Sequence, residues 1–238
     1  MKTVAILQSN YIPWKGYFDM IAAVDEFILY DDMQYTRRDW RNRNMIKTPQ
    51  GTHWMTVPVK VKGKYFQSIR QTELDGTNWA QNHWKTLLQN YRKAPCFEQT
   101  ATWLEPLYLG RQYQYLAELN SHLIEAICAQ LGVATRISRS SDYVLAEGKT
   151  ERLVDLCRQA NATRYISGPA ALDYIDASQF ERAGIELQWF DYDNYPVYPQ
   201  LWGEFTHYVS ILDLFFNCGE QAGQYMKYVH PATHKELI

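Results

Sequence analysis

Apolar positions follow two different spacings along the chain, and the two are segregated. Short apolar runs at 3–8 and 26–31 flank a helix-spaced stretch at 16–24, which predicts strand, helix, strand. The last third repeats this alternation: strand 134–138, helix 149–160, strand 163–167, helix 177–183 and strand 185–190. In the helix from 149, Leu153, Leu156 and Cys157 share a face while Arg152, Asp155 and Arg158 lie elsewhere, as in an amphipathic crossover helix. Units of this length pair their strands in parallel. Between the two regions the spacing is helical. Asn78 is placed to cap a helix running to about Arg92, stopped before Pro95, and apolar residues from 116 to 131 keep helical spacing until Gly132. A helix is also expected from Phe205 to Asn217, closed by Gly219. A hairpin is expected from Thr52–Lys60 and Tyr65–Gln71, turning at Lys62-Gly63-Lys64. The sum is an α/β fold: a mostly parallel Rossmann-like sheet flanked by helices, with a helical middle segment and a small β-hairpin. Residues 1–238 read as a single domain, in which 75–132 forms a helical subdomain or insertion.

Composition narrows the classes. The formal net charge is -2, so no global basic field argues for nucleic acid, yet Arg37, Arg38, Arg41, Arg43 and Lys47 crowd one segment. Eighteen tyrosines and eight tryptophans favour a site for rings, since these side chains offer a flat face and a hydrogen-bonding edge. Four cysteines, Cys96, Cys128, Cys157 and Cys218, lack any ligand spacing and read as reduced thiols of a cytoplasmic protein. No apolar run approaches the ~20 residues that span a bilayer, so no membrane insertion is expected.

Chemistry concentrates at predicted strand ends, where open α/β sheets bind ligands. Gln8, Asn10, Tyr11, Trp14 and Lys15 form a polar, aromatic loop opening a helix at Gly16, whose free amides suit a phosphate. Asp31 and Asp32 end the second strand and could bind a sugar hydroxyl, act as a base or serve as a turn; no metal site is assigned to them. Arg37, Arg38, Trp40, Arg41, Asn42 and Arg43 follow, read as an anion clamp because tryptophan and asparagine, rather than acids, interrupt the arginines. Ser167 and Gly168 end another strand and could face the first loop. Glu204 and His207, three apart where a polar-aromatic loop enters the expected last helix and so on one face if that stretch is helical, form the acid–base candidate. His53 and His83 read as strand-face and helix-face residues, and His230 and His234 as part of a mobile tail.

Four segments, QSNYIPWKGYFDMI (8–21), DDMQYTRRDWRNRN (31–44), RYISGPAALDYI (164–175) and YPQLWGEFTHYVSILDLFFNCG (198–219), resemble the WbqC-like proteins of bacteria. The resemblance spans Val4 to about Gly219. It implies a place among the proteins of O-antigen and other surface polysaccharides, handling nucleotide-activated sugars, amino sugars among them, and supplies no catalytic residue. More loosely, the first sixty residues look like the opening of the HIGH-type nucleotidyltransferase fold, with Trp14 to Tyr17 standing where its paired histidines belong.

The expectation is therefore a cytoplasmic transferase acting on a small, phosphate-bearing sugar, by acyl or aminoacyl transfer to an amino group. Asp31, Glu204 and His207 would carry proton transfer; the cofactor is unknown, and a homo-oligomer is left open. The alternatives are a nucleotidyltransferase-like enzyme and a non-catalytic assembly factor. The preferred reading requires Tyr11, Arg41 and His207 to share one cavity.

Overall fold

Five short strands build one parallel sheet. In the computed structural model, which describes residues 1–229, β1 (Thr3–Leu7) leads through α1 (Lys15–Ala22) to β2 (Glu26–Leu29), and the strands pair from Val4↔Glu26 to Leu7↔Leu29. His230 and His234 lie outside the described residues. The chain leaves the sheet for β3 (Arg43–Thr48), β4 (Gly51–Thr56), α2 (Asn78–Tyr91), α3 (Phe97–Leu109) and α4 (Leu116–Gln130). It returns as β5 (Arg136–Arg139), crosses by α5 (Thr150–Gln159) to β6 (Arg164–Ser167), and by α6 (Ala177–Arg182) to β7 (Glu186–Trp189). The last α-helix among the described residues is α7 (Ile211–Cys218).

The sheet order is β5-β2-β1-β6-β7, with every pairing parallel. The first three strands grow outward from β1 on one side, and β6 then pairs with β1 on the other. A topological switch point therefore lies between the carboxyl ends of β1 and β6, where open sheets leave a crevice.

Strand alternation divides the core between the two faces. Ala5, Phe27 and Leu29 join one apolar cluster with α1, the three middle helices and α7. Val4, Ile6 and Ile28 join the other with Leu153, Leu156 and Cys157 of α5 and Phe180 of α6. The face assigned to α5 from its spacing is the one that is buried.

Two expectations need correction. The hairpin is β3–β4, paired antiparallel from Arg43↔Thr56 to Thr48↔Gly51, rather than 52–60 with 65–71. Gly63 does turn, at φ +74, but the segments beside it make only isolated bridges such as Val59↔Leu74. Strand β3 hides behind polar letters because its buried polar side chains are bonded. Asn44 donates to the Tyr11 and Ile12 carbonyls (3.1 and 2.9 Å), and the Lys47 ammonium donates to Gln200 Oε1 (2.7 Å) and the Glu204 carbonyl. Secondly, α7 starts at Ile211, not Phe205. Gln200 takes both backbone groups of Thr206 out of a helical ladder (3.1 and 3.0 Å), and Ser210 Oγ caps α7 by accepting from the Leu212 amide.

Candidate functional site

The 8–14 loop between β1 and α1 is stitched to the 31–44 segment by hydrogen bonds from both sides. The Ser9 amide donates to Asp31 Oδ1 (2.8 Å) and the Tyr11 amide to the Trp40 carbonyl (3.0 Å). Asn120 of α4 pins the pair from below, donating to Ser9 Oγ (3.1 Å) and to the Arg41 carbonyl (2.9 Å). Gly16 is needed for a local reason. The Trp14 ring folds over the first turn of α1 so closely that a Cβ at 16 would sit 2.4 Å from it.

Arg41 is the arginine this framework turns toward the switch point. Its guanidinium donates to Asn10 Oδ1 and to Gln8 Oε1 (3.1 Å), and its side chain is 14% exposed. It lines a crevice of about 360 Å³ with Gln8, Ser167, Gly168, Tyr174 and Lys149. This lining carries two cations and no carboxylate, and the acid paired with Arg41, Asp39 at 3.8 Å, lies outside it. Lys149 stands at the N-terminal boundary of α5, after Gly148 at φ +91, so its ammonium and the helix start both favour an anion.

The other three arginines do not join that clamp. Arg37 is exposed and donates to the Val61 carbonyl (3.1 Å), and Arg38 is exposed at φ 59. Arg43 lies over the Trp54 ring, 4.0 Å from its centroid, and donates to the Arg38 carbonyl. Asn42 is buried and donates to the Val57 carbonyl (2.8 Å), fixing the end of the hairpin.

A second cavity, of about 260 Å³, opens on the other side of Asn10. Trp14, Trp40, Tyr208, Pro13 and Val209 give it largely apolar walls, and His207 and Asn44 complete it. Burial, and then the nearby Lys15 charge, lower the His207 pKa below its ordinary value, favouring neutral imidazole. Phe205 meets the His207 ring edge-on at 4.6 Å, and the buried Nδ1 has no hydrogen-bond partner among the described residues. Glu204 does not support His207: with no helix here the two share no face, and the exposed Glu204 side chain makes no bond to the imidazole.

Asp31 and Asp32 face a third cavity, of about 280 Å³, beyond β2 and β5. Burial pushes the Asp31 carboxyl up, against the Ser9 amide bond and the Arg41 charge, which pull it down. Asp32 is paired with Arg70 (2.8 Å) and accepts from Ser140 Oγ (2.7 Å). Among the described residues no group of three or more His, Cys, Asp or Glu is arranged to hold a metal ion.

Two expected binding residues are core residues. Tyr11 is fully buried, its hydroxyl 2.8 Å from His83 Nδ1 and 2.7 Å from the Tyr108 hydroxyl. Lys15 is buried too, donating to the Pro196 and Tyr225 carbonyls (2.8 and 3.0 Å), with a pKa lowered by burial to about 8. The single-cavity expectation therefore fails. Tyr11 is in the core, Arg41 in the crevice and His207 in the aromatic cavity, the last two separated by Asn10. Sequence reasoning missed Lys149, although its Gly-Lys-Thr setting at a helix start resembles the Lys15-Gly16 setting it did pick out.

The signature of the WbqC-like protein family matches residues 8–225, from the crevice loop to the segment that holds Lys15. A Mycobacterium tuberculosis (strain ATCC 25618 / H37Rv) protein named "Uncharacterized protein Rv1507c" is 59% identical over 228 residues, covering 96% of this chain and 99% of the relative. No solved structure matches the chain.

Proposed function

The chain belongs to the WbqC-like protein family, and from that premise we propose that it is a transferase acting on a phosphate-bearing amino sugar in surface-glycan assembly, attaching an acyl or aminoacyl group to the sugar's amine. The Arg41 crevice and the His207 cavity then act as two subsites joined at Asn10, in place of the single shared cavity. The observation that carries this reading is Arg41, held by Gln8 and Asn10 in a crevice whose other charged group is Lys149. A planar guanidinium, and an ammonium at the start of α5, suit a phosphate or diphosphate.

In the reaction, the sugar's neutral amine nitrogen bonds to the carbonyl carbon of an activated acyl donor, such as a thioester. The bond from that carbon to the leaving group breaks, its electron pair departing with the leaving group, and nitrogen gives up a proton to a base. His207 is suited to accept it, since its lowered pKa keeps it unprotonated near neutral pH. Glu204 is dropped from this role because it does not contact His207.

The sheet order favours one further reading. Five parallel strands whose order of addition reverses at β1 provide the usual crevice for a mononucleotide, so nucleotidyl transfer stays as the second possibility. The test is a product assay with nucleotide-activated amino sugars and acyl thioesters, read by mass spectrometry. The transferase reading expects the acyl mass on the sugar; pyrophosphate release from a nucleoside triphosphate and a sugar phosphate, with no acylated product, would favour the second.

A further inference from the structure

The bond between Arg41 and Asn10 has a consequence on the far side of Asn10. A carboxamide carries its oxygen and its NH2 on opposite arms, and only the oxygen can accept from a guanidinium. With Oδ1 given to Arg41, the amide NH2 is the arm left over, and it has no partner among the described residues. Asn10 also lines the aromatic cavity. Asn44, the other amide there, is fully used: its NH2 serves two carbonyls and its oxygen accepts from the Met45 amide at 2.8 Å. The cavity thus offers aromatic walls, one oriented donor and the His207 ring.

We propose that this cavity is a subsite for an uncharged sugar ring bearing an acylamino group, whose carbonyl oxygen accepts from the Asn10 amide while the ring packs on Trp14 and Trp40. A carbonyl oxygen is acceptor-only and matches an oriented NH2. A charged group is disfavoured, because no residue of the lining is ionised to pair with it and an unpaired charge in an apolar pocket is costly. A volume of about 260 Å³ lies below the roughly 300–1,000 Å³ of pockets for drug-sized ligands, which suits one ring and a short substituent. The proposal rests on the transferase reading in taking the ring to be a sugar, and the acylamino group is the one that reaction leaves on it, so the subsite favours the product over the protonated amine.

The test is titration of tryptophan fluorescence with N-acetylglucosamine, glucosamine, uridine and inorganic phosphate. N-acetylglucosamine should bind at least tenfold more tightly than glucosamine, which is charged, or uridine. Asn10→Asp, which keeps the oxygen for Arg41 and removes the donor, should weaken it at least tenfold. Trp40→Ala should do the same while leaving phosphate binding intact, and Lys149→Ala should weaken phosphate and spare N-acetylglucosamine. The proposal is overturned if wild type does not prefer the acylamino sugar, or if Asn10→Asp binds it as wild type does. Loss of the phosphate result alone would count against the anion crevice and leave this subsite standing.

Discussion

At the scale of single residues, the buried chain Tyr108–Tyr11–His83 shows how a loop next to a site is made rigid. His83 Nε2 lies 3.2 Å from the Thr56 carbonyl, so that nitrogen carries the proton and Nδ1 accepts from Tyr11. Burial lowers the His83 pKa to about 4, against ~6.5 in an unfolded chain. As pH falls below 6.5 the unfolded state takes up a proton that the folded state refuses until about 4. Stability contributed here is whole above 6.5, declines across that window and levels off below it. The loss should be on the order of 2–3 kcal/mol. Urea denaturation of wild type and His83→Asn at pH 7 and pH 4.5 checks this. Asp31 and Asp213, whose buried carboxyls are pushed up, contribute in the opposite direction in both proteins, so the difference isolates His83. Equal pH slopes would refute it. This role for Tyr11 was not legible in the sequence. Its neighbours Gln8, Asn10 and Trp14 face cavities, and no spacing shows that Tyr11 points inward between them to meet α2 and α3.

At the scale of elements, the parallel units were legible and the connections less so. Strands β1, β2, β6 and β7 and helices α1 and α5 announce themselves by period, because one periodic face is buried against one sheet face. Helix α3 went unread, with Pro95 ahead of it and Pro106 within it, and β3 went unread because its burial rests on hydrogen bonds rather than on apolar side chains. The stretch before α7 is held by a polar centre. Asp213 is fully buried and accepts from the Tyr91 hydroxyl (2.7 Å), the Tyr198 hydroxyl (2.8 Å) and Gln200 Nε2 (2.7 Å). Gln200 in turn bonds both backbone groups of Thr206, one residue before His207. Asp213→Ala leaves the two buried hydroxyls of Tyr91 and Tyr198 without this acceptor and should cost about 2–4 kcal/mol of stability. It should also loosen the aromatic cavity, slowing any step that uses His207. Equilibrium denaturation measures the first effect, and a loss below about 0.5 kcal/mol would show that the centre is not a lock.

At the scale of the whole molecule, the sheet order decides where chemistry gathers. The switch between β1 and β6 brings together Gln8, Arg41, Lys149 and Ser167, which come from four separate stretches of sequence. The strand-end loops were visible in the sequence as polar, aromatic interruptions. Which arginine turned inward was not, because that depends on Gln8 and Asn10 accepting from Arg41 while the hairpin takes Arg43 onto Trp54. No helix among the described residues is long and apolar enough to cross a membrane. The central claim is that this crevice is an anion site organised by Arg41. Calorimetric titration of wild type and Arg41→Ala with a nucleoside diphosphate sugar at low salt tests it most directly. A charge-assisted contact of about 1.5–3 kcal/mol predicts a loss of roughly 10- to 150-fold in affinity for Arg41→Ala. Equal affinity in the two proteins, or no binding of phosphate, nucleotide or sugar nucleotide by wild type, would contradict the account.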